Sequence, residues 1–139
     1  MMVDTLSAKH RSWNMSRIRG RDTGPERSLR SLLHNEGFRF RLHDRSLPGK
    51  PDIVLKKHQA IIMVHGCYWH RHPGCRNATT PSTRTDFWTE KFEGTIARDK
   101  QNLAALAALG WRVLIVWECD LEKNPDKVMA GIRGWLREA

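Results

Sequence analysis

The apolar positions of this 139-residue chain change period several times, and each change marks an element. Residues 1–15 are polar and aperiodic, which reads as a flexible basic arm ahead of a single domain over residues 16–139. Asp22-Thr23-Gly24-Pro25 signals a helix start, with proline near the first turn and Glu26 favoured at the positive end of the helix dipole. Leu29, Leu32 and Leu33 follow at helical spacing, and Gly37 supplies the C-terminal cap. Phe38 to Leu42 alternates strictly, the period of a half-buried strand. Leu47-Pro48-Gly49-Lys50 is a turn, Pro51 to Leu55 a second strand, and Lys56 to Gln59 another turn. Ala60 to Val64 is an unbroken apolar run, as in a strand covered on both faces.

A loop rich in His, Cys, Pro, Gly, Thr and Ser runs from about His65 to Thr85. Asp86 then caps a short helix carrying Phe87, Trp88 and Phe92. A longer helix is expected from about Thr95 to Leu109, with Ile96, Leu103 and Leu106 on its apolar face and Gly110 at its end. Trp111 to Trp117 is the last strand, and Asn124-Pro125 starts a final helix ending near Leu136. Helix, three strands, helix, strand, helix predicts an α/β domain built on a mixed sheet flanked by helices.

Composition narrows the function. The formal net charge of +9 favours a polyanionic partner, nucleic acid first, over a merely solvated basic surface. Arg11, Arg17, Arg19, Arg21, Arg27 and Arg30 crowd the N-terminal part, and their forked donors suit phosphate. No stretch approaches the roughly 20 apolar residues of a membrane span. The first residues hold no apolar signal segment, so a cytoplasmic location is expected.

Three cysteines, Cys67, Cys75 and Cys119, argue against a disulfide framework. Cys67-x4-His72-x2-Cys75, completed by Cys119, offers three thiolates and one imidazole, a closed tetrahedral set for structural zinc. A polar loop of this size has no core of its own and needs such a staple. The alternatives are that Cys67 and Cys119 are small buried residues, or that His65 or His70 replaces His72 as ligand.

Asp52 follows the Pro-Gly turn and opens an apolar strand, where it can hold a divalent cation for phosphodiester hydrolysis or simply cap the turn. His65 and His70 lie just beyond the Ala60–Val64 run, and either could take a proton from attacking water near neutral pH. Tyr68 and Trp69 are adjacent in the polar loop, so both cannot enter one core from a regular strand. They and Trp88 are candidates to wedge between base pairs, with ordinary packing as the alternative.

His65-Gly66-Cys67-Tyr68-Trp69-His70-Arg71-His72-Pro73-Gly74-Cys75 resembles the very-short-patch repair endonuclease family. So do Leu47-Pro48-Gly49-Lys50-Pro51-Asp52 before it, Thr83 to Trp88 after it, and Gly110 to Cys119 in the tail. The resemblance runs from about Asn14 to Leu121. It implies a restriction-endonuclease-like fold and a magnesium-dependent, strand-specific nick 5′ of the thymine in a T·G mismatch, the lesion left by 5-methylcytosine deamination. By motif, Asp52 resembles the magnesium carboxylate, with the Val64 main-chain carbonyl as a second ligand. His70 resembles the general base and His65 the second histidine, while Glu26 and Asp99 match supporting acids. Cys67, His72, Cys75 and Cys119 match structural zinc ligands. Tyr68, Trp69 and Trp88 match an aromatic wedge, and Met15 the residue inserted from the opposite groove. The partner implied is double-stranded DNA with a T·G mismatch, bound by a monomer and coupled to other mismatch-repair proteins.

Two departures from the wider pattern stand out. No Asp or Glu occurs between Asp52 and Asp86, where many restriction-type nucleases carry a second acid. Val64 stands where some members have Thr, and Tyr68 where Phe is usual; stacking survives the latter change. A restriction-like endonuclease reading a normal site, and a non-catalytic zinc module, remain rival readings. The Arg-rich segment, with Arg17, Arg19 and Arg21, predicts DNA binding whose log affinity falls by about 0.9 per log unit of salt for each phosphate neutralised. A flat salt response in a binding titration would remove that segment from phosphate contact.

Overall fold

The computed structural model describes residues 24–138. The arm over residues 1–15, Met15, Arg17, Arg19, Arg21 and the Asp22-Thr23 part of the helix signal lie outside the described residues. Helix α1 (Gly24–Asn35) buries Leu29 and Leu33 and places Glu26 in its first turn. Strands β1 (Arg41–Leu42), β2 (Ile53–Leu55) and β3 (Ala60–His65) form an antiparallel meander, and β4 (Arg112–Trp117) adds in parallel to β3. The crossover from β3 to β4 contains helix α2 (Thr85–Ala108); helices α3 (Glu118–Lys123) and α4 (Pro125–Arg137) close the chain. The spatial order β1-β2-β3-β4 makes a four-stranded mixed sheet.

Strand periodicity divides the core between the two faces. Ile53, Leu55, Ala60, Ile62 and Val64 point to the face covered by α1, α3 and α4, where they meet Leu29, Leu33, Leu121, Met129 and Ile132. Val54 and Ile61 point to the other face, where Leu106 of α2 covers them. Burial of each such aliphatic side chain contributes about 1.5–3 kcal/mol. Coverage on both faces explains why β3 reads as a continuous apolar run rather than an alternating one.

Three expectations need correction. The strand expected from Phe38 shrinks to Arg41–Leu42, both exposed, while Phe38 and Phe40 pack against the main core before the strand begins. The two helices expected around Asp86 and Thr95 are one helix of 24 residues. Gly94 remains helical at a cost of about 1 kcal/mol relative to Ala, offset by burial of Trp88, Phe92 and Leu106 along one stripe. Ile96 falls beside that stripe and is exposed. The third correction is α3, which sequence periodicity did not indicate; it carries Cys119 directly after β4. At the turn before Asp52, Gly49 has φ +76°, and a Cβ there would lie 2.8 Å from the Asn102 side chain. Only glycine fits both constraints, and this seats the turn against α2.

Candidate active site and metal centre

The β1–β2 hairpin builds the first cluster. The register that pairs Leu42 with Ile53 puts His43 opposite Asp52, and the His43 N–H donates to the Asp52 carbonyl at 3.2 Å. Asp52 stands just before β2, and its Oδ2 accepts the Val64 N–H at 2.8 Å from the neighbouring β3. Glu26, 4% exposed, enters from α1. The His43 ring lies between the two acids, with Nε2 3.6 Å from Glu26 Oε2 and Nδ1 4.0 Å from Asp52 Oδ1. Burial, and then the neighbouring Glu26 charge, push the Asp52 carboxyl up to about 6, against the opposing pull of the Val64 amide and His43.

The second cluster joins the end of β3, the following loop and α2. His70 Nδ1 meets Asp99 Oδ2 at 2.7 Å. An ionised carboxylate only accepts, so Nδ1 carries the proton and Nε2 is the basic nitrogen. The His65 ring stacks on His70 with centroids 3.9 Å apart and planes 9° apart. His65 is 3% exposed, and burial, helped by the adjacent His70, lowers its imidazole to about 4. It is therefore neutral at physiological pH, and its Nε2 has no hydrogen-bond partner among the described residues. Both clusters line one cavity of about 430 Å³, together with Arg45, Lys50 and Asn102.

The third cluster lies beyond the strand ends. One ligand atom each from Cys67, His72, Cys75 and Cys119 lies within 4.8 Å of all the others. His72 Nδ1 is 3.6 Å from Cys67 Sγ and 3.4 Å from Cys119 Sγ. A tetrahedron with zinc–sulfur bonds of about 2.3 Å and zinc–nitrogen bonds of about 2.0–2.1 Å has a sulfur–nitrogen edge of about 3.6 Å, so the donor set fits zinc in type, number and spacing. Among the three loop histidines it is His72 that joins the thiols, while His65 and His70 line the cavity. Two neighbours hold the set in place. The Cys67 N–H donates to Glu118 Oε1 at 2.9 Å, and Trp117 stacks on His72 at 4.2 Å. Burial raises the Cys67 thiol to about 12, so binding a metal there releases protons.

The loop has a second staple. The Arg71 guanidinium donates to the carbonyls of Tyr68, Ala78 and Thr79 and to Thr80 Oγ1, all at 3.0–3.1 Å, and lies 3.9 Å over the Phe92 ring. Tyr68 and Trp69 are half-buried and meet edge to face at 5.1 Å. Trp88, 8% exposed, sits behind Trp69 with ring centroids 6.0 Å apart, so it backs the pair from α2.

Sequence reasoning passed over His43, Arg71 and Glu118. A hairpin count did not reveal His43 either, since a turn at Leu47–Lys50 sets position 45 opposite 52, whereas the observed register pairs Leu42 with Ile53 and so brings 43 there. Nothing in the local pattern marked Arg71 or Glu118, whose partners depend on tertiary placement.

A sheet edge carrying buried acids, a carboxylate-oriented histidine and basic side chains around one cavity defines a nuclease-like centre. The family described as DNA mismatch endonuclease Vsr matches residues 3–76. The type II nicking enzyme V.XorIIP of Xanthomonas oryzae pv. oryzae is 50% identical over 120 residues, covering 86% of this chain and 88% of the relative. The DNA mismatch endonuclease Vsr of Escherichia coli is 46% identical over 131 residues, covering 92% and 83%. The homing endonuclease I-Bth0305I catalytic domain shares the fold, with TM-score 0.53 and 24% identity over 81% of this chain and 92% of that one. The chain belongs to the DNA mismatch endonuclease Vsr family and is a DNA endonuclease.

The raised Asp52 carboxyl generates a stability prediction. A carboxylate with a folded-state pKa near 6 and an unfolded value of 3.8 binds more protons when folded, so stability falls as pH rises from about 4 to 6. The charged form costs the cation-free protein up to about 3 kcal/mol at neutral pH. Asp52→Asn is therefore expected to raise the melting temperature at pH 7, without added divalent cation, by several degrees, with the gain vanishing near pH 4. Equal melting of both proteins across that range would contradict the strained acid pair.

Proposed function

We propose that this chain nicks one strand of duplex DNA on the 5′ side of the thymine in a T·G mismatch, in a magnesium-dependent reaction that initiates very-short-patch repair. The observation that carries the reading is the meeting, in one cavity, of the Glu26–Asp52 acid pair and the His65–His70–Asp99 group. Mismatch specificity is supported by the name of the Escherichia coli relative and by the aromatic pair Tyr68–Trp69 on the stapled loop beside that cavity.

The proposed roles draw on the geometry above and on the family resemblance. Asp52, with the Val64 main-chain carbonyl that the resemblance implies, would hold magnesium, and the charge of the Glu26–Asp52 pair is what a cation would neutralise. The cation, when bound, offsets charge on the scissile phosphate and activates water. His70 takes a proton at Nε2, because Asp99 holds the proton on Nδ1 and fixes the ring plane. His65 stays neutral and offers Nε2 as a hydrogen-bonding group to water or a phosphate oxygen. Arg45 and Lys50, on the cavity wall, attract the phosphate. Cys67, His72, Cys75 and Cys119 would hold zinc, anchoring the loop that bears His70, Tyr68 and Trp69. Tyr68 and Trp69 present flat faces that stack against an opened base step, with Trp88 behind them. Of the segment outside the described residues, Met15 enters the opposite groove and Arg17, Arg19 and Arg21 contact phosphate.

Strand-resolved cleavage of end-labelled duplexes tests this reading. A single magnesium-dependent nick beside the thymine of a T·G duplex, absent from the T·A duplex and from Asp52→Ala, is expected. Equal cutting of both duplexes would replace the repair reading with a restriction-like one.

A further inference from the structure

His43 has no part in the roles above, yet it occupies the centre of the acid cluster. Its backbone sits in the left-handed region at φ +47°, just past β1. The hydrogen bond to the Asp52 carbonyl fixes it there. The side chain is 16% exposed, shielded by its neighbours but open to the cavity. One nitrogen faces each acid, at 3.6 Å from Glu26 and 4.0 Å from Asp52. One ligand atom from each of the three residues lies within 4.8 Å of both others.

His43 Nδ1 and Asp52 Oδ1 are spaced like two ligands of one ion. In an octahedral shell with bonds of about 2.1 Å, adjacent ligands lie about 3.0 Å apart and opposite ones about 4.2 Å apart. The 4.0 Å from Nδ1 to Asp52 Oδ1 is close to the opposite-ligand spacing, while the 3.6 Å contact to Glu26 is made by the other ring nitrogen, which cannot bind the same ion. The donor types differ from those of an ordinary magnesium site, which is built from oxygen alone. An imidazole nitrogen adds affinity for manganese and later first-row divalent ions and adds little for magnesium.

We infer that His43 is a nitrogen ligand of the catalytic cation site, and that it makes the site prefer manganese-type ions over magnesium. The inference rests on the proposed reading of Asp52 as the cation carboxylate. The group acts through an atom on the ion, so its role is ligation and selection of the metal, separate from the proton transfer at His70. The alternative is that the ring is an ion-pairing spacer between two acids and never touches the metal.

Electron spin-echo spectroscopy of manganese added to the full-length, zinc-loaded protein separates the two. Nitrogen modulation from a directly bound imidazole is expected in the native chain. His43→Gln should keep a manganese site, lose that modulation, and lower manganese affinity by roughly tenfold or more, a scale on which even outer-shell partners act. Its magnesium affinity, read by competition, should change little, so the preference narrows. Absence of nitrogen modulation in the native chain overturns the inference with no variant needed. Modulation that persists in His43→Gln assigns the nitrogen to His65 or His70 and overturns it equally. Asp52→Asn is the separate control. Undiminished manganese binding in that variant would sink the Asp52 reading, while lost binding there together with unmodulated binding in the native chain would sink His43 alone.

Discussion

The parallel pairing of β3 with β4 is the interaction on which the rest depends. Six residues of β3 run beside six of β4, and the register brings His65 level with Trp117. Both strands therefore end at the same edge of the sheet. Two residues beyond β3 lies Cys67 and two beyond β4 lies Cys119, so candidate metal ligands 52 positions apart in sequence become neighbours. The strand ends also fix what the ligands carry. His65 closes β3 inside the cavity, and the loop held at Cys67, His72 and Cys75 returns His70 onto the His65 ring. A slip of this register by one residue would invert the faces of β3 and separate both sets.

On that frame the molecule divides its polar chemistry into two kinds. The thiol cluster is closed, with four ligands, a Glu118 acceptor behind Cys67 and a stacked Trp117 behind His72. It suits a permanent ion whose binding is part of folding. The acid cluster is open to a cavity, and burial together with the neighbouring Glu26 disfavours the charge on Asp52. The sheet and α1 hold both acids in place, and a cation there would offset their repulsion. The proposed function thus gives the chain two metal sites with separate jobs, one holding the loop and one serving the cut.

Much of this was legible in the sequence. Apolar runs located β3 and β4, and the Cys-His spacing pointed to the residues that the fold gathers at Cys67, His72, Cys75 and Cys119. The Pro-Asp step after the Pro-Gly turn left Asp52 open between turn cap and cation ligand, and the structure groups it with Glu26 and His43. What failed did so for tertiary reasons. The single long α2 is carried by Trp88, Phe92 and Leu106 against the sheet and aromatic loop, so Gly94 did not break it. Phe38 and Phe40 alternate like strand residues, yet only Arg41 and Leu42 pair with β2. His43 was hidden because its meaning lies in the residue opposite it, and Arg71 because its four acceptors come from the fold of the loop.

The most direct test of the two-metal division is anomalous diffraction from a crystal of the full chain grown with manganese, with data collected on both sides of the zinc edge. The account predicts a zinc peak about 2.0–2.3 Å from Cys67, His72, Cys75 and Cys119, and a separate manganese peak against Asp52. Zinc bound instead at His65, His70 and Asp99, or manganese found away from Asp52, would contradict it.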